Sequence, residues 1–136
     1  MSASFADADD LRRYVGGIFE RALEDPVLGP KLMGTGVVLK VITSEPDAVL
    51  VMDLPNRNIG LGSADDRADA TMRMTSDVAN RFWQGQVNLP VAMARGHVKV
   101  EGKVGALLKL VPSTKQLFPA YRFLLEKDDR ADLLAN

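Results

Sequence analysis

Any Ser-His-Asp relay or histidine-based metal site in this chain must run through His97, the one histidine present. His97 opens the run His97-Val98-Lys99-Val100-Glu101, where polar and apolar residues alternate, so it reads as a solvent-facing strand residue. Ser63 lacks the glycines of a nucleophile elbow, since Leu61 and Asp65 occupy their places. Gly96 to Lys103 is a poor phosphate loop: five residues separate the glycines where four are needed, and Val104 replaces the magnesium-binding hydroxyl. Gly60-Leu61-Gly62 has Asp65 where a dinucleotide turn requires a third glycine. The pairs Asp9-Asp10, Asp65-Asp66 and Asp128-Asp129 lack calcium-loop spacing, which leaves them helix-end and turn duties. One acid-base arrangement survives: Asp53, with an apolar neighbour on each side, and a phenol from Tyr14 or Tyr121, as an apolar-pocket isomerase would use. The plainer duty for Asp53 is to end a strand before Pro55. Lys99, Lys103 and Lys109 suit either a solvated face or a greeting for an anionic headgroup or coenzyme A phosphate. Met72, Met74 and Met93 suit core filling, or an apolar site that adapts to ligands of varied shape.

The elements that position these residues follow from periodicity. Leu11, Tyr14, Val15, Ile18, Phe19, Ala22 and Leu23 recur at helical spacing and stop at Asp25-Pro26, and a short helical turn reaches Met33. Val37 to Ile42 and Ala48 to Leu54 are rich in β-branched residues and are joined by Ser44-Glu45-Pro46-Asp47, which predicts an antiparallel hairpin. Ile59 and Leu61 mark a weak third strand, and Asp69 to Thr75 a fourth with Ala70, Met72 and Met74 on one face and Thr71 and Arg73 on the other. Ser76 with Asp77 starts a helix bearing Val78, Ala79, Phe82 and Trp83 and closing at Gly85. Asn88 and Pro90 start another, ending at Gly96, and His97 to Glu101 supplies the fifth strand. Val104, Leu107, Leu108 and Val111 form a helical stripe, and beyond Pro112 so do Leu117, Phe118, Tyr121, Leu124 and Leu125, with Phe123 off it. The tail from Lys127 is expected to fray.

The chain has 136 residues, and one domain spanning 1–136 with an ordered core of about 9–126 is expected. With 46% hydrophobic and 26% charged residues it has a globular composition. Seventeen Lys and Arg against eighteen Asp and Glu give a formal charge of −1, which offers no strong field for nucleic acid or anionic membrane. The absence of cysteine removes disulfides and thiol catalysis and points to a reducing compartment, with the cytoplasm as default. The start, Met1 to Asp10, lacks signal-peptide regions, and the end, Leu133-Leu134-Ala135-Asn136, matches no peroxisomal or reticular address. No apolar run is long enough to span a bilayer as a helix.

Three stretches carry a resemblance. They are Ala68-Asp69-Ala70-Thr71-Met72-Arg73-Met74-Thr75-Ser76-Asp77, Phe82-Trp83-Gln84-Gly85, and Gly96-His97-Val98-Lys99-Val100-Glu101-Gly102 continuing to Leu110. In order and spacing they resemble the sterol carrier protein 2 family, in detail from Ala68 to Leu110 and as an order of elements from Leu11 to Leu125. The resemblance implies an α+β fold: a five-stranded mixed or antiparallel sheet covered by helices and enclosing an apolar lipid tunnel. It implies a non-catalytic carrier of sterols, fatty acids, acyl chains or phospholipids, with no cofactor and no metal. Membrane contact would be transient at most, and the oligomeric state is open. On that resemblance, Phe82, Trp83, Met93, Leu107, Leu108 and Val111 would approach the tunnel beside Met72 and Met74, with Leu117, Phe118 and Tyr121 in a C-terminal cover. Two positions depart from the family pattern: Pro90 comes one residue late after Asn88, and Met93-Ala94 stands where bulky aromatics are common. An accessory domain presenting an apolar metabolite to an enzyme is the alternative, ahead of the isomerase.

Overall fold

The computed structural model describes residues 5–134; the terminal residues discussed above at positions 1–4, 135 and 136 lie outside them. α1 (Ala8–Leu11), a π-helical turn (Arg12–Gly16) and α2 (Gly17–Glu24) run on as one helical segment. Asp7 caps it by accepting from the Asp10 amide at 2.8 Å. Its apolar stripe, Leu11 through Leu23, is buried as the spacing predicts. At the π turn the helix closes on the sheet, because a Cβ on Gly16 would stand 3.2 Å from Ile59 Cγ2 and 3.4 Å from Leu50 Cδ1. The Asp25 carboxylate then accepts from the amides of Val27 and Leu28, turning the chain into α3 (Leu28–Gly34).

β1 (Val38–Ser44), β2 (Ala48–Asp53) and β3 (Asn58–Leu61) form an antiparallel meander. The 62–69 link carries the chain back so that β4 (Ala70–Thr75) lies parallel to β1, and β5 (Lys99–Gly102) pairs antiparallel with β4. The order is β3-β2-β1-β4-β5, an open mixed sheet of five strands, which is the expected α+β architecture. Two contacts hold the returning link in place. The Asp69 carboxylate accepts from the Val38 amide at 2.7 Å, and buried Lys40 donates to the carbonyls of Ala64 and Asp66. Across the strands Val41 faces Leu50 and Met72, and Leu39 faces Met52 and Ala70, so the two-residue period puts all of these on one buried face.

Helices cover that face. α4 (Ser76–Trp83) is capped by Thr75 and not by Ser76: the Thr75 hydroxyl accepts from the Val78 amide at 3.3 Å, while Ser76 donates to the Glu45 carbonyl of the β1–β2 turn. α5 (Leu89–Ala94) starts under an Asn88 cap. α6 (Val104–Lys127) corrects two expectations. First, Pro112 does not divide it: one helix passes through both Pro112 and Pro119. Each proline removes the hydrogen bond to the carbonyl four residues back, on Leu108 and Lys115, and all four residues face solvent, where water replaces the lost donor. Second, the tail after Lys127 folds back instead of fraying. Arg130 pairs with Asp10 at 2.8 Å, and the Leu133 side chain is buried.

Candidate functional site

The apolar layer between sheet and helices is built from three sources. Met72 and Met74 come from the inner face of β4, Phe82 and Trp83 from α4, and Leu107, Leu110, Leu117 and Tyr121 from α6. All are buried in one core cluster. An aromatic seam ties the helices together. Trp83 meets Phe19 of α2 edge-on at 5.0 Å between ring centroids and Phe82 at 4.9 Å, and Phe82 meets Phe118 of α6 at 6.3 Å. Gly85, at φ +81°, keeps space for that last ring, since a Cβ there would lie 2.8 Å from Phe118 Cδ2. The Trp83 indole N–H has no hydrogen-bond partner although it is fully buried.

Of the residues expected at the site, Met72, Met74, Phe82, Trp83, Leu107, Leu117 and Tyr121 come together in this layer. Val111 and Phe118 are half-buried at its margin. Met93 and Leu108 face solvent, 38% and 60% exposed. Leu117, Tyr121, Leu124 and Leu125 belong to the continuous α6 and pack as core, so the C-terminal residues are no separately hinged cover in this structure. Sequence reasoning missed Leu110, Phe19 and a buried polar chain. In that chain Tyr121 donates to Asn80 Oδ1 at 2.8 Å, and Asn80 and Gln84 both donate to the Leu133 carbonyl, at 2.7 and 2.8 Å. Burial, with Asp10 nearby, pushes the Tyr121 phenol far above its ordinary range, so it stays neutral. The Asp53 carboxylate accepts from the backbone and side-chain amides of Asn56, which is turn chemistry, and His97 is exposed.

Clefts open on this layer from outside. One of about 320 Å³ lies between α2, α3 and α6, with Ile18 and Leu117 of the core in its walls, Phe123 at its side and Arg21 and Asp25 as its charged residues. A second, of about 350 Å³, is lined by Gln84, Phe118, Pro119 and Arg122 and shares Phe123, which is 61% exposed between the two. A third, of about 430 Å³, sits at the ends of β1 and β4, with Ile42, Met74 and Val78 beside Arg73, His97 and Lys99.

An open mixed sheet roofed by helices, with a methionine- and aromatic-rich layer between, defines the sterol carrier type of α+β protein. The sequence profile of the SCP-2 sterol transfer family matches residues 18–115, and the chain belongs to that family. The sterol carrier protein domain 2 of Helicoverpa armigera is similar at TM-score 0.66 and 16% identity, covering 85% of this chain and 95% of that one. Sterol carrier protein-2 of Aedes aegypti, in complex with the C16 fatty acid palmitate, is similar at TM-score 0.60 and 26% identity, covering 79% and 96%. Hydroxysteroid dehydrogenase-like protein 2 of Pongo abelii is 28% identical over 83 residues, 60% of this chain, and the match spans only 20% of that relative's length. Among the described residues no helix is long and apolar enough to cross a membrane.

Proposed function

We propose that this chain holds and carries an apolar lipid, whether fatty acid, sterol, acyl chain or phospholipid, without catalysing a reaction on it. The observation that carries the reading is the apolar cleft between α2, α3 and α6, because Ile18 and Leu117 are at once its walls and part of the buried core. An acyl chain entering beside Phe123 meets Leu117 first and the aromatic seam next, while Arg21 stands ready for a carboxylate head. At about 320 Å³ the cleft is at the small end of ligand pockets, ~300–1,000 Å³, so a whole ligand needs the layer to repack. Met72 and Met74 suit that, since unbranched thioethers change shape at little cost. The unpaired Trp83 N–H adds a second support: a buried donor without a partner costs about 1–3 kcal/mol, which a lipid hydroxyl or carbonyl reaching it would recover. The family and the palmitate complex of the Aedes aegypti relative agree with this reading. The neutral Tyr121 and the turn-bound Asp53 give it no catalytic pair. On its cysteine-free composition we assign the chain to the cytoplasm.

The match inside a much longer relative favours one further reading, an accessory domain that presents its lipid to an enzyme. A stable enzyme partner in a pull-down would support it. The primary test is mass spectrometry of an organic extract of purified protein, together with Trp83 emission during titration with palmitate and with a sterol. A co-purified lipid and a saturable emission change are expected. Clean extracts from several hosts, with no rise in melting temperature on adding either ligand, would overturn the proposal.

A further inference from the structure

The formal charge of −1 averages two unlike parts of the chain. Residues 78–125 carry seven Lys and Arg and a single carboxylate, Glu101, whereas residues 1–77 carry thirteen Asp and Glu against eight Lys and Arg. Glu101 is itself engaged by Arg73 across the β4–β5 pair. The same segment holds five of the seven large hydrophobic side chains exposed among the described residues: Val91 and Met93 on α5, and Val104, Leu108 and Phe123 on α6. Arg81 is paired with Asp77 just outside the segment, and the remaining excess of positive charge coincides with the apolar exposure.

On α6 their arrangement follows from helix geometry. At roughly 100° per residue, Val104, Leu108, Val111 and Lys115 fall in one stripe, on the side turned away from buried Leu110 and Leu117. Lys103 precedes the stripe, Lys115 ends it, and Lys109 stands roughly 100° round the helix from Leu108, all three lysines being exposed. Lys103 occupies the N-cap without a side-chain hydrogen bond, and no carboxylate stands in the first turn, so the positive end of the helix dipole adds to the same field. In water this start is unfavourable. Against anionic headgroups each part is satisfied: lysine stems lie along apolar surface with their ammonium groups at the phosphates, and Val104 and Leu108 reach the acyl boundary.

We propose that the first three turns of α6 dock this protein on anionic lipid bilayers, the stripe of Val104, Leu108 and Val111 meeting the membrane between Lys103, Lys109 and Lys115. Docking here goes beyond lipid holding, because it stands whether or not the interior takes a ligand. It names the surface across which a carrier exchanges cargo.

The test is flotation of the full chain with vesicles of phosphatidylcholine alone and of phosphatidylcholine with phosphatidylglycerol. Binding to the anionic vesicles only, weakening as salt rises, is expected. The triple variant Lys103→Gln, Lys109→Gln, Lys115→Gln is expected to lower that partition by about a hundredfold, from the typical gain per cation at an anionic surface. Leu108→Ser should lower it by about tenfold, since the side chain is exposed in the free protein and buried only on the membrane. Palmitate-induced change in Trp83 emission, measured without vesicles, is expected to be the same in all variants, and its absence would count against lipid holding and not against docking. Wild-type protein that fails to float with anionic vesicles, or variants that float like wild type, would overturn the inference. So would a face that captures an acidic protein but leaves vesicles unbound.

Discussion

The Trp83 indole, the largest of the wholly buried side chains, packs against two rings and leaves its one polar atom unpaired. Truncation and ring replacement should therefore differ sharply. Trp83→Ala removes the ring and opens a cavity, for which about 3–5 kcal/mol of lost stability is expected. Trp83→Phe removes some volume but also the unpaired donor, so the two effects oppose each other and the net loss should stay below about 1.5 kcal/mol. Urea denaturation of both variants checks this, and a Phe variant as unstable as the Ala variant would show that the N–H is satisfied, by water for example, in solution. The helical stripe of Val78, Ala79, Phe82 and Trp83 marked the indole as inward. It did not mark Asn80 or Gln84. Their amides are buried only because the Leu133 carbonyl arrives from far along the chain to accept from them, and no local pattern encodes such an arrival.

At the scale of elements, α6 shows what periodicity can and cannot supply. Read as two helices parted by Pro112, its first half assigns Leu107, Leu108 and Val111 to one inward stripe. Read as one helix, the spacing Leu107, Leu110, Thr114, Leu117, Tyr121 and Leu124 runs unbroken, and all of these are buried. The phase changes by less than half a turn, yet Leu108 and Leu110 exchange environments. Leu110→Ala is accordingly expected to cost about 2–5 kcal/mol, and Leu108→Ala no more than about 0.5 kcal/mol. Thermal unfolding of the pair measures the difference, and equal losses would place Leu108 in the core. The strands, the first helix and both short helices were legible because each completes its pattern within a few residues of its own caps and turns. The inner position of Met72 and Met74 followed from alternation in β4, and that of Phe82 from the α4 stripe. The parallel pairing of β1 with β4 was not legible. It depends on the Asp69 and Lys40 contacts of the 62–69 link, residues whose local pattern signals only a loop.

At the scale of the whole molecule the two described ends are clasped. Arg130 donates twice to the Asp10 carboxylate, at 2.8 and 3.1 Å, and lies 5.2 Å from the centre of the Tyr14 ring, while Phe5 stacks on that ring and Leu133 is buried beyond. The clasp closes the chain around α6 and fixes the Leu133 carbonyl on which Asn80 and Gln84 depend. Burial by itself would raise the pKa of Asp10. Hydrogen bonds from Arg130 and the Ala6 amide, with the charges of Arg130 and Arg13, outweigh it and hold the carboxyl below the ordinary carboxylate range. A carboxyl with a lower pKa folded than unfolded adds stability that is complete above its unfolded value, roughly 3.9, and is lost as pH falls through the folded value. Arg130→Gln removes the partner that lowers it. At pH 7 the variant is expected to be less stable by about 1–3 kcal/mol, the usual scale for hydrogen bonds to a charged group. As the pH drops below about 4 the wild type loses the same contribution, so the two urea midpoints should converge. Asp10→Asn should reproduce the loss at neutral pH, and adding Arg130→Gln to it should cost little more, because the pair acts as one unit. Midpoints that differ as much in acid as at pH 7 would mean that Arg130 holds the tail through packing on Tyr14 and not through charge.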